Sequence, residues 1–194
     1  MPSFGLAEHP FVTWDDGFTE DEIKSIISIG DALEKDKATI HGADKEDDYS
    51  KIRESSISWI EYNQDTGWIY DRLAHILRML NGQFYRFDIY GFSEHLQYTV
   101  YNGEREGHYT WHLDSGFSSS GHPPRKLSLV LQLSDSSEYE GGDLEILTTS
   151  EPQAVMKKKG LVAVFPSYVL HRVTPVTKGI RRTLVVWSCG PTFR

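Results

Sequence analysis

The 194-residue chain has one cysteine, Cys189, so no intrachain disulfide framework can form, and a reducing, cytoplasmic setting is the natural expectation. It has no apolar run near the roughly 20 residues that span a bilayer, and its N-terminus lacks a basic region followed by an apolar stretch. No membrane association is therefore expected. It also lacks positive charge: the formal net charge is -8, which argues against general nucleic-acid binding through phosphate attraction. Lys157-Lys158-Lys159 is the one basic run, and it reads as a solvated turn between strands.

What the chain does have is a set of residues suited to a metal. Trp111-His112-Leu113-Asp114 and Leu170-His171-Arg172-Val173 offer two imidazoles and a carboxylate, the donor set of an oxygen-activating ferrous site with one open face. If the first segment is extended, His112 and Asp114 point to one side and Leu113 to the other. His171 must come from a distant strand of a closed or sandwiched sheet, with both walls of a barrel lining one pocket. Four cysteine-rich ligands, as structural zinc favours, are not available.

Four further segments follow in order: Gly141-Gly142-Asp143-Leu144-Glu145-Ile146, Gly160 to Ser167, His171 to Val176, and Gly179 to Trp187. Together with the two ligand segments, they resemble the iron(II)- and 2-oxoglutarate-dependent oxygenases, specifically the prolyl and lysyl hydroxylase-like branch, from about Leu96 to Trp187. That resemblance implies a mainly β fold with flanking α-helices, a double-stranded β-helix (jelly-roll) core. It implies His112, Asp114 and His171 as iron ligands, and Fe(II), 2-oxoglutarate and O2 as cofactors, with ascorbate as a stimulant. The reaction implied is hydroxylation of an aliphatic C–H with release of succinate and CO2, on a prolyl or lysyl residue of a peptide or protein. A free amino acid or other small molecule as substrate, or a binding module without turnover, are the alternatives.

Arg181 and Arg182 compete to anchor the co-substrate. On a strand, Arg181, Thr183, Val185 and Trp187 share one face and Arg182, Leu184, Val186 and Ser188 the other, and pattern alone does not say which looks inward. The family spacing selects Arg181, with Thr183 assisting. By the same resemblance, Tyr101 contacts the co-substrate and Leu144 forms an apolar wall. Gln97, Thr99 and Tyr101 would share the polar face of their strand. Gly141-Gly142 suits positive φ and close backbone approach, and Thr177 to Ile180 reads as a hairpin turn that makes the His171 and Arg181 strands neighbours.

The N-terminal third is different. Thr19-Glu20-Asp21-Glu22 reads as a capping box flanked by Phe18 and Ile23, opening a helix with apolar positions Ile23, Ile26, Ile27 and Leu33. A second helix is expected over about 67–80, with Ile69, Leu73, Ile76, Leu77 and Leu80 as its stripe and Asn81-Gly82 as its stop. The expected organisation is one domain over 1–194, with helical support over about 18–80 and the β-helix core over about 94–190. Segments 37–53 and 115–125 read as surface loops with the alternative of lids, and Arg53 and Trp59 as candidate substrate contacts. His108 reads as structural, and oligomeric state is not legible.

Overall fold

The computed structural model describes residues 9–37, 51–115 and 123–192. Its first half runs β1 (Val12–Trp14), α1 (Glu20–Ala32), β2 (Asp36–Lys37), β3 (Arg53–Glu54), β4 (Ser56–Ile60), α2 (Gly67–Leu80), β5 (Gly91–Phe92) and β6 (Leu96–Asn102). The second half runs β7 (His108–His112), β8 (Arg125–Gln132), β9 (Tyr139–Gly141), β10 (Leu144–Leu147), β11 (Gln153–Ala154), β12 (Val162–Pro166), β13 (Leu170–Val173) and β14 (Val176–Cys189).

These strands form two antiparallel sheets in a jelly-roll arrangement. The major sheet has the order β1-β12-β8-β14-β6-β4-β2, with β5 and β9 also pairing with β14; the minor sheet has the order β11-β10-β13-β7-β3. One apolar core lies between the major sheet and the helices, and includes Ile26, Leu73, Tyr98, Leu184 and Val186; a second includes Tyr101, Leu144, Ile146, Phe165 and Val173 and lies between the sheets. The period-two alternation of β6 and β14 is what sorts their side chains between these two interiors.

The helices form as their sequences dictate. The Thr19 backbone N–H donates to Glu22 Oε2 at 2.8 Å and the Glu22 N–H donates to Thr19 Oγ1 at 3.3 Å, completing the capping box at the start of α1. Ile23, Ile26 and Gly30 are the buried positions of α1, while Leu33 caps its exposed C-terminus. A Cβ on Gly30 would stand 2.5 Å from the Tyr98 ring, so glycine sets the distance between α1 and the sheet. The α2 stripe is buried as expected.

Three expectations need correction. First, α2 does not stop at Asn81-Gly82. A π-helical turn, Asn81–Tyr85, follows, and the helix exits through Arg86 at φ 54°. The Asn81 side chain explains this, because its amide bonds both the N–H and the carbonyl of Phe87 at 2.9 Å and fixes the exit one turn later. Second, Thr177 to Ile180 is not a hairpin turn: Gly179, at φ 73°, lies within β14 opposite Tyr139. A Cβ there would meet the Glu138 carbonyl at 2.0 Å, so the glycine permits the approach of β9 rather than a reversal of the chain. The His171 and Arg181 strands belong to opposite sheets and are not paired neighbours.

Third, the lysine run is not simply solvated. Lys157 pairs with Asp143 at 3.1 Å, Lys158 with Asp16 at 3.1 Å and Lys159 with Glu20 at 3.2 Å, tying the turn to three other segments. Cys189 is buried beside the Ser93 hydroxyl. Among the described residues, no helix is long and apolar enough to cross a membrane.

Candidate active site

His112 ends β7, and the chain beyond it is held by the Asp114 and Ser115 N–H groups, which both donate to the Ser167 carbonyl at 3.0 and 2.8 Å. β13 pairs antiparallel with β7 and sets His171 directly opposite His112. All three candidate ligands thus come from the minor sheet and its edge, not from both walls of the barrel. Leu113 points away and is exposed, as the period of two requires.

Each imidazole places Nδ1 against the carbonyl two residues before it, Thr110 for His112 at 2.8 Å and Val169 for His171 at 2.9 Å. With Nδ1–H donating there, each Nε2 keeps its lone pair. The Nε2 atoms face the Asp114 carboxylate, His112 at 3.7 Å from Oδ1 and His171 at 3.4 Å from Oδ2. Tyr109 stacks on His112 with centroids 3.4 Å apart, and Phe165 lies edge-on to His171 at 4.7 Å, so neither ring is free to turn.

The electrostatics match the geometry. Burial, helped by the neighbouring His171, pushes His112 down to about 4, so it is neutral at physiological pH. Burial opposes ionisation of Asp114, but the two histidines and a 2.6 Å hydrogen bond from Ser128 Oγ outweigh it and hold the carboxyl well below the usual range. Burial pushes His171 down, but the Asp114 carboxylate and the hydrogen bond to the Val169 carbonyl together outweigh it and leave the imidazole raised. The trio is a carboxylate between two imidazoles, the arrangement a divalent cation would replace proton for metal.

The fit to iron(II) follows from the donor set. Three ligand atoms, one from each residue, lie within 4.8 Å of one another. Metal–ligand bonds of roughly 2.0–2.2 Å place adjacent octahedral ligands about 3 Å apart. The Asp114 to histidine separations need only small closure to reach that.

Across the cavity, of about 490 Å³, stands the major sheet. Arg181, Thr183, Val185 and Trp187 all line it, whereas Arg182 lies on the far face with Nη2 3.4 Å from Asp31. Arg181 is 2 % exposed. Its guanidinium lies 5.2 Å from the Tyr101 ring centroid, its Nε has no hydrogen-bond partner, and no carboxylate among the described residues pairs with it. A buried cation so placed fits an incoming carboxylate. Leu144, Val130 and Val173 supply apolar wall, and Tyr101 and Gln97 line the same space.

Arg53 and Trp59 both line the cavity, with Arg53 4.6 Å over the Tyr109 ring. Most of 37–53 and of 115–125 lies outside the described residues, but Arg125 begins β8. Sequence reasoning missed Arg125, which pairs with Glu94, lies 3.7 Å over Trp187 and donates to the Asp114 carbonyl at 3.4 Å. It also missed Ser128 and Tyr109. Trp187 could have been found, since it shares the Arg181 face; the others depend on pairings that no local pattern shows. His108 bonds the Glu106 carbonyl at 2.8 Å, in keeping with a structural role.

Residues 96–189 match the 2OG-Fe(II) oxygenase superfamily. A PKHD-type hydroxylase of Synechococcus sp. (strain CC9311) is 43 % identical over 91 residues, covering 47 % of this chain and 40 % of that protein. A PKHD-type hydroxylase of Teredinibacter turnerae is 42 % identical over 87 residues, covering 42 % of this chain and 37 % of that one. The matched segment thus spans well under half of these relatives. A crystal structure of a Pseudomonas putida prolyl-4-hydroxylase superposes with TM-score 0.73 at 21 % identity, covering 95 % of both chains. A Trichoplax adhaerens prolyl hydroxylase, solved in complex with a hypoxia inducible factor oxygen degradation domain peptide fragment, superposes with TM-score 0.76 at 14 % identity, covering 94 % of this chain and 84 % of that one. At such identities the structures speak for the fold alone, while the sequence match makes residues 96–189 similar to the 2OG-Fe(II) oxygenase superfamily and to part of the PKHD-type hydroxylases.

Proposed function

We propose that the chain is an iron(II)- and 2-oxoglutarate-dependent dioxygenase that hydroxylates an aliphatic C–H of a prolyl or lysyl residue in a peptide or protein. It would act as one domain across 1–194, with helical support over about 18–80 and the β-helix core over about 94–190. The observation that carries this reading is the pairing of two features across one cavity: three converging donors on one wall and, on the other, a buried Arg181 whose Nε has no hydrogen-bond partner.

His112 and His171 would hold the iron through Nε2, and Asp114 through its carboxylate. Arg181, assisted by Thr183 and Tyr101, would receive the far carboxylate of 2-oxoglutarate, with Leu144 against its methylenes. When bound, iron, 2-oxoglutarate and O2 supply the oxidising power, and succinate and CO2 are the by-products. The protein orients the reactants and keeps the pocket dry. Asp114, held anionic by its neighbours, offsets part of the metal's charge, and neutral His112 needs no proton loss before it ligates. Ascorbate would stimulate by keeping the iron ferrous.

Arg53 and Trp59 would contact substrate at the mouth. The preference for a peptidyl substrate is supported by the prolyl hydroxylase neighbours, one of which holds a peptide. The test is incubation with iron(II), 2-oxoglutarate, O2 and peptides containing proline or lysine. The expected result is gain of one oxygen atom by the peptide with equimolar succinate. Oxygen transfer only to free amino acids would move the substrate class, and no 2-oxoglutarate consumption by iron-loaded protein with any substrate would overturn the enzyme reading.

A further inference from the structure

Beside the active-site cavity lies a second cleft, of about 370 Å³, whose lining includes Tyr62, Tyr70, Asp71, Phe92, Glu94 and His95. Glu94 lines both spaces, so an extended chain leaving the first can enter the second. The connection from β4 to α2 supplies Tyr62, α2 supplies Tyr70 and Asp71, β5 supplies Phe92, and the turn from β5 to β6 supplies Glu94 and His95.

Three of these rings stand in a row. Tyr62 meets Tyr70 edge-on with centroids 5.3 Å apart, and Tyr70 lies 6.5 Å from Phe92. The Tyr70 hydroxyl is used inside the fold, donating to the Ile60 carbonyl at 2.6 Å and accepting from the Leu96 N–H at 3.3 Å. Tyr62 belongs to neither apolar core and is 65 % exposed. It is therefore a large ring held at the surface by another ring, with its remaining area open to a ligand.

Charge selects the ligand. The Glu94 carboxylate is taken by Arg125, whose Nε donates to it at 2.7 Å. Asp71 is exposed and is in no ion pair with a described residue. Glu61, next to Tyr62, is close enough to act on the Tyr70 phenol, which burial chiefly raises, and it too has no cation among the described residues. An anion would be repelled here and an apolar group would leave both carboxylates unanswered. A cation would meet the negative faces of the rings and the carboxylates together.

We propose that this cleft is a distal substrate subsite for a lysine or arginine side chain of the polypeptide whose target residue occupies the active-site cavity, with Tyr62 as the ring it packs on and Asp71 as its counter-charge. This rests on the peptidyl-substrate reading above. The metal site would select the residue to be oxidised, and the cleft would select the sequence around it.

The test has two arms. The first is an NMR titration of the protein with Nα-acetyl-lysine amide and with its uncharged counterpart Nα-acetyl-norleucine amide, read at the Tyr62, Tyr70 and Phe92 rings. The lysine derivative should shift these resonances and the norleucine derivative should not; no shift with lysine, or equal shifts with both, would overturn the proposal. The second is fluorescence anisotropy of labelled single-proline peptides on manganese(II)-loaded protein with 2-oxoglutarate, one other position being lysine or norleucine and walked along the peptide on either side of the proline. At the spacing that spans the two spaces the lysine peptide should bind roughly 5- to 30-fold tighter. Asp71→Asn, an exposed and isosteric change, and Tyr62→Ala should each reduce that preference severalfold with the circular dichroism spectrum unchanged. Peptides that bind with no lysine preference at any spacing, or a preference that survives both substitutions, would overturn the proposal. Ring shifts with the lysine derivative but no binding or hydroxylation of any peptide would instead bring down the peptidyl-substrate reading, and with it the role of the cleft as a substrate subsite.

Discussion

Replacing Arg181 by lysine separates charge from geometry at the proposed carboxylate anchor. Arg181 is 2 % exposed, with Nε unpartnered. Its guanidinium can offer two parallel N–H donors to a carboxylate, where an ammonium keeps the charge and loses the fork. One lost hydrogen bond to a charged group in such a site costs about 1.5–3 kcal/mol, and each 1.4 kcal/mol is about tenfold in affinity. Arg181→Lys should therefore weaken 2-oxoglutarate roughly 10- to 150-fold. Arg182→Lys is the internal control, because Arg182 sits on the opposite face of β14, 3.4 Å from Asp31 and partly exposed. It should cost less than about 1 kcal/mol of stability and leave 2-oxoglutarate affinity unchanged. Calorimetric titration of 2-oxoglutarate into the manganese-loaded variants measures both. A larger loss for Arg182→Lys, or less than a twofold loss for Arg181→Lys with the fold intact by circular dichroism, would refute the assignment.

Other predictions concern the ligands, their supports and the helix packing. Asp114→Ala and His112→Ala should abolish turnover and stoichiometric iron binding while the circular dichroism spectrum stays native; full activity in either would show that the metal lies elsewhere. Ser128→Ala removes the 2.6 Å hydrogen bond to Asp114 Oδ2 and should lower metal affinity roughly 10- to 100-fold, with equal affinity to wild type as the contrary result. Gly30→Ala gains about 1 kcal/mol of helix propensity but drives a methyl into the Tyr98 ring. Tyr98 is fully buried and its hydroxyl is held by Asp31 at 3.1 Å, so overpacking of about 1–3 kcal/mol should prevail. Its urea midpoint should fall, and a rise would mean that α1 can lift without cost.

The residues that were legible in the sequence are those whose placement follows from local periodicity. The 181/183/185/187 face could be written down from a strand period of two, and the family spacing then chose it over the Arg182 face; the structure sets that face on the cavity. The capping box at Thr19 and the α2 stripe followed from contacts three and four residues apart. Where the outcome depended on which strands meet, local pattern was silent. The expected turn at Gly179 was the right glycine for the wrong reason, since its positive φ serves the Glu138 carbonyl of an adjoining segment. His171 was expected from a distant strand and lies on one, but that this strand makes it the direct cross-strand partner of His112 is a register that only long-range pairing fixes. Ser128 reaches Asp114 because β8 threads between β12 and β14, and the ion pairs of Lys157, Lys158 and Lys159 reach segments as remote as Asp16 and Glu20. The π-helical turn after α2 rests on one side chain, Asn81, bonding past the helix end.

The central claim is that His112, Asp114 and His171 form an open ferrous site facing an Arg181-anchored keto acid. It is tested most directly by anaerobic visible absorption of the purified protein, adding iron(II) and then 2-oxoglutarate. The account predicts a metal-to-ligand charge-transfer band that needs both additions, is lost in Asp114→Ala and requires more 2-oxoglutarate in Arg181→Lys. Iron bound at one equivalent with no band at saturating 2-oxoglutarate would contradict it, because the metal site would then be closed to the co-substrate.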